Sequence, residues 1–166
     1  MRLATLTLPG RGETDRLLAG LAARLLAQGV PLAGAVQFNV ECGEDCEMEV
    51  QVLPDGPILG ISQKLGPGSE GCRLDAGALE QAVAEVAARM AGARLLIVNK
   101  FGKHEAEGRG FRSLIAEALA SGLPVLLGVN QMNMHSFQAF AGDMAEPLTP
   151  AGLDLWVADV LAEDVT

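Results

Sequence analysis
Four short apolar runs in this sequence show no alternation with polar residues: RLATLTL at residues 2–8, LAGAVQF at 32–38, RLLIVN at 94–99 and PVLLGV at 124–129. A strand with one wet face alternates and a strand covered on both faces does not, so these runs belong inside a sheet with helices above and below it. Helical periods lie between them. Leu17, Leu18, Leu21, Ala22, Leu25 and Leu26 share one face of a helix that stops at Gly29. Asp75 is placed to cap a second helix burying Leu79, Val83, Val86 and Met90, and Phe111, Leu114, Ile115, Ala118 and Leu119 form the inner face of a third that ends at Gly122. Thr149 as cap and Pro150 in the first turn open a last helix with Leu153, Trp156, Val157 and Val160 inside. Strand and helix alternate, which predicts an α/β fold: a mostly parallel sheet with helices on both faces. With 166 residues, 49% of them hydrophobic, the chain has material for one core and no room for a second, so residues 1–166 are expected to form a single domain.

One segment breaks the pattern. In CEMEVQV, Cys46, Met48, Val50 and Val52 alternate with Glu47, Glu49 and Gln51, and Pro54-Asp55-Gly56 then turns the chain into PILGIS. That is the signature of a one-sided antiparallel hairpin inserted into the parallel sheet. The glycine-rich stretch at residues 63–75 follows without periodicity, and its length makes it a candidate lid or ligand loop as well as a plain surface connection.

Charge narrows the function classes. The formal net charge is −9 and the isoelectric point near 4.6, so a broad basic face for nucleic acid is not expected, while a local cationic pocket is. Three cysteines at unrelated spacings describe no disulfide framework, and Pro9 and Gly10 interrupt the N-terminal apolar run before it reaches signal length. No apolar run approaches membrane-spanning length. The expectation is a soluble cytoplasmic protein, with no membrane and no nucleic-acid partner, for which a homo-oligomer is compatible.

In an open parallel sheet the ligand lies beyond the carboxyl ends of the strands. Three loops should converge there, at residues 9–15, 99–110 and 130–135. The first runs straight from the opening strand into the opening helix, so its backbone N–H groups and the helix dipole form an anion site. Laid on the pattern G-x-x-x-x-G-K-[ST], Gly12 takes the second glycine and Thr14 the hydroxyl, but no glycine stands where the first belongs and Glu13 takes the place of the lysine. Gly10, Arg11, Gly12, Glu13, Thr14 and Asp15 are the candidate ligand residues of this loop. The second loop supplies Asn99, Lys100, Lys103 and Glu105, with Arg109 as a further cation; each cation alone also fits a solvated surface residue. Glu105 and Glu107 fit an acid and base pair only if buried together.

IVNKFGKHE resembles the P-loop nucleoside-triphosphatases of bacteria and archaea in which an apolar strand ends in Asp-Glu, followed by Ile-Gly-Lys-Met-Glu. Asn99 and Lys100 then replace the acidic pair, while Gly102, Lys103 and Glu105 keep their types. Over nearly its full length, and through GPGSEGCRLD and VNKFGKHEAEGRG, the chain resembles an uncharacterised bacterial family of P-loop-related proteins linked with molybdenum metabolism. The resemblance implies a P-loop-like fold and a molybdenum setting, but no established activity.

In the resembled enzymes the loop lysine neutralises phosphate and the acidic pair holds Mg²⁺. Here both signs are changed, so Mg-dependent hydrolysis is disfavoured and no catalytic residue is assigned. Glu13 and Lys100 are expected to come within salt-bridge reach with reversed polarity or to share one anion or water between them, and the strand at 94–99 is expected beside the strand at 2–8. Cys42, Cys46 and Cys72, with His104 or His135, offer soft-metal ligands without the usual C-x₂-C pairs, and no metal site is assigned. Met132 and Met134 fit packing beneath the cleft rim. The favoured function is non-hydrolytic ligand binding or regulation, with a small anion or a nucleotide as ligand. Two rivals stand beside it: an unorthodox nucleotide-dependent enzyme (nucleoside-triphosphatase, phosphatase or kinase) using Lys100 and Lys103, and a structural interaction subunit.

Overall fold
The computed structural model describes residues 2–10, 12–42, 45–62 and 75–162, with side chains excepted at 39–47. The loop expected at 63–75 therefore lies outside the described residues apart from Asp75, as do Arg11, Cys72 and the side chains of Cys42 and Cys46.

The chain begins with β1 (Leu3–Leu6), α1 (Glu13–Ala27), β2 (Leu32–Cys42), β3 (Asp45–Leu53) and β4 (Ile58–Gly60). It continues through α2 (Ala76–Ala87), β5 (Leu95–Phe101), the single turn α3 (Lys103–Ala106), α4 (Arg112–Ala120) and β6 (Val125–Val129). A 3₁₀ turn at Gln131–Asn133 then leads to α5 (Met134–Ala141), β7 (Ala145–Leu148) and α6 (Pro150–Ala162). The strands make one sheet of seven in the order β4-β3-β2-β5-β6-β1-β7. β2, β5, β6, β1 and β7 are parallel, and β3 and β4 run antiparallel at one edge.

The sheet is covered on both faces, and each central strand serves both. Leu96, Val98, Val125 and Leu127 pack with Leu79 and Val86 of α2, Ile115 and Ala118 of α4, and Phe137 of α5. Leu95, Ile97 and Leu126 point the other way, against Leu18, Leu21 and Leu25 of α1 and Leu153, Trp156 and Val160 of α6. Period-two alternation between two buried faces is why these strands read as unbroken apolar runs. The caps follow the sequence: Asp75 Oδ1 accepts from Ala78 N at 3.1 Å and Thr149 Oγ1 from Gly152 N at 3.2 Å. The inner face of α2 is Leu79, Ala82 and Val86; Val83 is half-buried, and Met90 lies beyond the helix end.

Three expectations are corrected. β1 and β5 share the sheet but are not neighbours, because β6 lies between them and pairs with both. Apolar content marks a central strand; the crossovers decide its neighbours. β2 runs to Cys42, beyond the apolar run, because β3 pairs with it antiparallel from Gly34↔Leu53 to Cys42↔Asp45. The β3–β4 hairpin is present, with Met48, Val50 and Val52 buried and Gln51 Nε2 donating to Gly56 O across the turn. β7, the remaining edge strand, has too little apolar content and a proline at 147, which suits only an edge.

Candidate functional site
A cleft of about 410 Å³ opens at the carboxyl ends of β1, β5 and β6. Its walls come from three places: Leu8, Pro9, Gly10, Gly12, Thr14 and Asp15; Asn99 and Lys100; and Gly128 to Met132. At the opposite end of β5 and β6 a hollow of about 390 Å³ is lined by residues 90–93 and 121–124 and contains no ionisable side chain. The cleft at the carboxyl ends, where an open parallel sheet binds its ligand, therefore carries charge that the opposite end of these strands lacks.

The first loop is tied down by two threonines. Thr7 Oγ1 donates to Val129 O at 2.6 Å, and Leu8 N donates to Thr14 Oγ1 at 3.0 Å. Leu8 N is thereby taken by a side chain and not by a neighbouring strand, beyond the end of β1 at Leu6. Gly12 has φ 74°, the left-handed region, immediately before α1 begins at Glu13. Helix α1 thus points its N-terminus and first-turn residues Glu13 and Asp15 toward this end of the sheet.

The strand-end residues are set by an irregularity. The pairing of β5 with β6 shifts between Val98 and Phe101, and this bulge contains Asn99 and Lys100. Gly128 of β6 sits against it: a Cβ there would lie 2.1 Å from Asn99 O and 3.0 Å from Thr14 Cγ2. The sequence signal was an isolated glycine inside an apolar run, which marks close backbone approach. Asn99 is only 3% exposed and its amide is fully engaged. Oδ1 accepts from Gln37 N at 2.7 Å, and Nδ2 donates to Gln37 O at 2.7 Å and to Asp15 Oδ1 at 2.9 Å. Gln37 was missed in the sequence because its contribution is backbone.

Asp15 is the carboxylate that lines the cleft. Partial burial raises its pKa above the usual aspartate value, opposed first by the charge of Lys100, then by the Asn99 hydrogen bond and by Arg16. Glu13 is placed otherwise than expected. It is exposed, it is absent from the cleft lining, and its side chain folds against Gly10, where a Cβ would meet Glu13 Cδ at 2.2 Å. Among the described residues Glu13 and Lys100 form no ion pair within 4.0 Å; the acid whose ionisation Lys100 favours is Asp15. The reason is helical geometry: positions 13 and 15 of α1 are two residues apart and face different directions.

Beyond Lys100 the second loop leaves the cleft. Lys103 has 87% of its side chain exposed and lies 4.0 Å from Glu107 Oε1, while Arg109 pairs with Glu107 Oε2 at 3.1 Å. Glu105 is 4% exposed and is consumed as a staple: Oε1 accepts from Gly102 N at 2.9 Å and Oε2 from Phe111 N at 3.1 Å. Burial raises its pKa, and the two N–H donors hold it back. Glu107 is exposed, so the acid and base pairing with Glu105 is not formed. Of the third loop, Asn130 Oδ1 caps the 3₁₀ turn by accepting from Asn133 N at 2.9 Å. Met132 stands at the rim 90% exposed, not packed beneath it, whereas Met134 packs on the core.

Among the described residues no three of His, Cys, Asp and Glu come together as metal ligands, and no helix is long and apolar enough to cross a membrane.

Two solved structures superpose over nearly the whole of this chain. A human cancer-related nucleoside triphosphatase superposes with a TM-score of 0.64 at 19% identity over 98% of this chain and 96% of its own. THEP1 from the hyperthermophile Aquifex aeolicus superposes at 0.65 and 18% identity over 100% of both chains. At such identity the likeness shows the fold that this chain shares with these two proteins. In sequence, the chain is 36% identical over 150 residues to the molybdenum import ATP-binding protein ModC 2 of Bradyrhizobium diazoefficiens. The match takes in 89% of this chain but only 17% of that longer protein. Residues 3–156 match the model of a protein family of unknown function, DUF2478, and the chain belongs to that family.

Proposed function
We propose that the cleft binds a small oxyanion or the phosphate end of a nucleotide without hydrolysing it, and that the protein serves as a ligand-binding or regulatory module. The observation that carries this reading is the state of Asn99. At the strand end, where a hydrolase of this fold keeps a free acid for Mg²⁺ and water, a buried amide has all its hydrogen-bonding atoms committed to Gln37 and Asp15. No lysine stands in the first loop, and Lys100 is the cation on the described lining. Lys100, the hydroxyl of Thr14 and the backbone N–H groups of the loop are donors suited to an anion without metal. Asp15, the lining carboxylate, is tied to Asn99 and lies under the influence of Lys100, which leaves it a poor single ligand for a divalent cation.

The molybdenum setting rests on the relative, a part of whose much longer chain this protein matches. The role we assign is accessory to molybdenum metabolism, in the cytoplasm and as a single domain. The enzymatic rival using Lys100 with Lys103 loses support because Lys103 is solvated and off the cleft lining. Thermal-shift titration with ATP, GTP, phosphate and molybdate, each with and without Mg²⁺, tests the reading. Stabilisation by at least one of these without Mg²⁺ is expected; a shift that requires Mg²⁺ and is accompanied by steady phosphate release contradicts it.

A further inference from the structure
The cleft pairs its cation with a carboxylate, and this pairing bears on which anion fits. Asp15 Oδ1 is fixed by Asn99 Nδ2, and Asn99 cannot turn because Gln37 holds both its amide atoms. Oδ2 of Asp15 accepts no hydrogen bond among the described residues, yet the residue lines the same cleft as Thr14 and Lys100. A tetrahedral oxyanion drawn in by Lys100 therefore meets a second oxyanion. Two acceptors repel unless one of them carries a proton that can lie between them.

We propose that Asp15 is a specificity-determining residue that selects oxyanions carrying a proton, inorganic phosphate among them, over fully deprotonated tetrahedral anions such as sulfate and molybdate. This rests on the reading of the cleft as an anion site and narrows it. Near neutral pH phosphate retains a proton for Asp15 to accept, whereas sulfate and molybdate present only acceptors. The link to molybdenum then does not run through molybdate bound in this cleft. The charged groups that influence Asp15 are Lys100 from the β5 end and Arg16 on its own helix; Asn99, Asn130 and Gln131 on the lining are neutral, and Glu13 lies off it. Burial raises the Asp15 pKa above the usual aspartate value, and Lys100, the Asn99 hydrogen bond and Arg16 act against it in favour of the ionised acceptor form. A protonated Asp15 would donate instead, and the discrimination would vanish.

The experiment is calorimetric titration of the full chain with inorganic phosphate, sulfate and molybdate near neutral pH at fixed ionic strength. Wild type, Asp15→Asn and Asp15→Ser are compared, with circular dichroism confirming the fold. Wild type is expected to prefer phosphate by at least about tenfold, the cost of an unpaired acceptor contact. In both variants the preference should collapse toward equality, chiefly through gained sulfate and molybdate binding. Equal binding of the three anions by wild type, or a preference that survives in a folded variant, overturns the inference while leaving the anion site standing. No binding of any anion by wild type or variants overturns the anion-site reading and this inference together. Should both variants unfold, the wild-type preference alone decides.

Discussion
The loops after β1 and β5 both start at the carboxyl end of the sheet, yet they are built on opposite principles. The loop at 9–15 is held at its base by Thr7 and Thr14, and its wall of the cleft is mostly backbone and short side chains. The loop at 102–111 is closed on itself. Glu105 takes the Gly102 and Phe111 N–H groups, Glu80 takes the Gly110 N–H at 2.9 Å, and Phe101 packs edge-on against Phe137 at 5.1 Å between ring centroids. Charged residues crowd the second loop, but they spend their charge on each other and on backbone donors. The first loop and the strand-end bulge carry fewer charges and leave them facing the cleft. Charge density in a sequence is thus a weaker guide to a site than which side chains remain uncommitted after the fold is satisfied.

The contrast can be broken most severely at Glu105. Glu105→Ala strips the acceptor from two N–H groups, so a stability loss of about 3 kcal/mol is expected in urea unfolding. Phosphate binding should survive under conditions where the variant is folded. If Glu105→Ala abolishes binding in the folded protein, the second loop belongs to the site after all.

Gly128→Ala comes next, since its Cβ would meet Asn99 O at 2.1 Å and backbone cannot easily give way. A loss of about 2 kcal/mol is expected, together with weakened ligand binding because the bulge carrying Asn99 and Lys100 is displaced. Stability loss with unchanged binding would show that the bulge does not set the site.

A shallower effect is expected from pH. Glu105 and Asp15 both have folded-state pKa values raised by burial above the ordinary 4.5 and 3.8. The folded state therefore holds these protons more tightly than the unfolded state does. Their contribution to stability is full below the ordinary values and is lost as pH rises through the raised ones. Unfolding free energy should show a decline across the mildly acidic range, and Asp15→Asn should flatten its part of that decline; a steeper decline in the variant would contradict the assignment.

The smallest effect is expected at Glu13. Exposed and unpaired with Lys100, Glu13→Lys should change stability by no more than about 0.5 kcal/mol, mainly through the helix dipole. Combined with Lys100→Glu the changes should add, and coupling above that level would restore the reversed ion pair.

Much of the fold was legible because burial on both faces writes itself directly into Leu95 to Val98 and Val125 to Leu127. Capping residues Asp75 and Thr149 were equally direct. Strand order was not, since nothing local in β1 or β5 says that β6 will lie between them. Of the residues on the cleft lining, Gly10, Gly12, Thr14, Asp15, Asn99 and Lys100 were expected at this end of the sheet from their position at strand ends and a helix start. Glu13, Lys103 and Glu105 were misplaced because a linear motif gives residue type without side-chain direction. Two positions along α1 turn Glu13 off the lining that Asp15 shares, and one turn of α3 folds Glu105 into the loop.

The central claim is anion capture through Lys100 without turnover. Phosphate and ATP binding should be followed calorimetrically for wild type and Lys100→Ala, with released phosphate assayed in the same samples with and without Mg²⁺. Metal-independent binding that weakens at least about tenfold in Lys100→Ala, with no phosphate released above background, is the expected result. Binding indifferent to Lys100, or Mg²⁺-dependent release that disappears in Thr14→Ala, would contradict it.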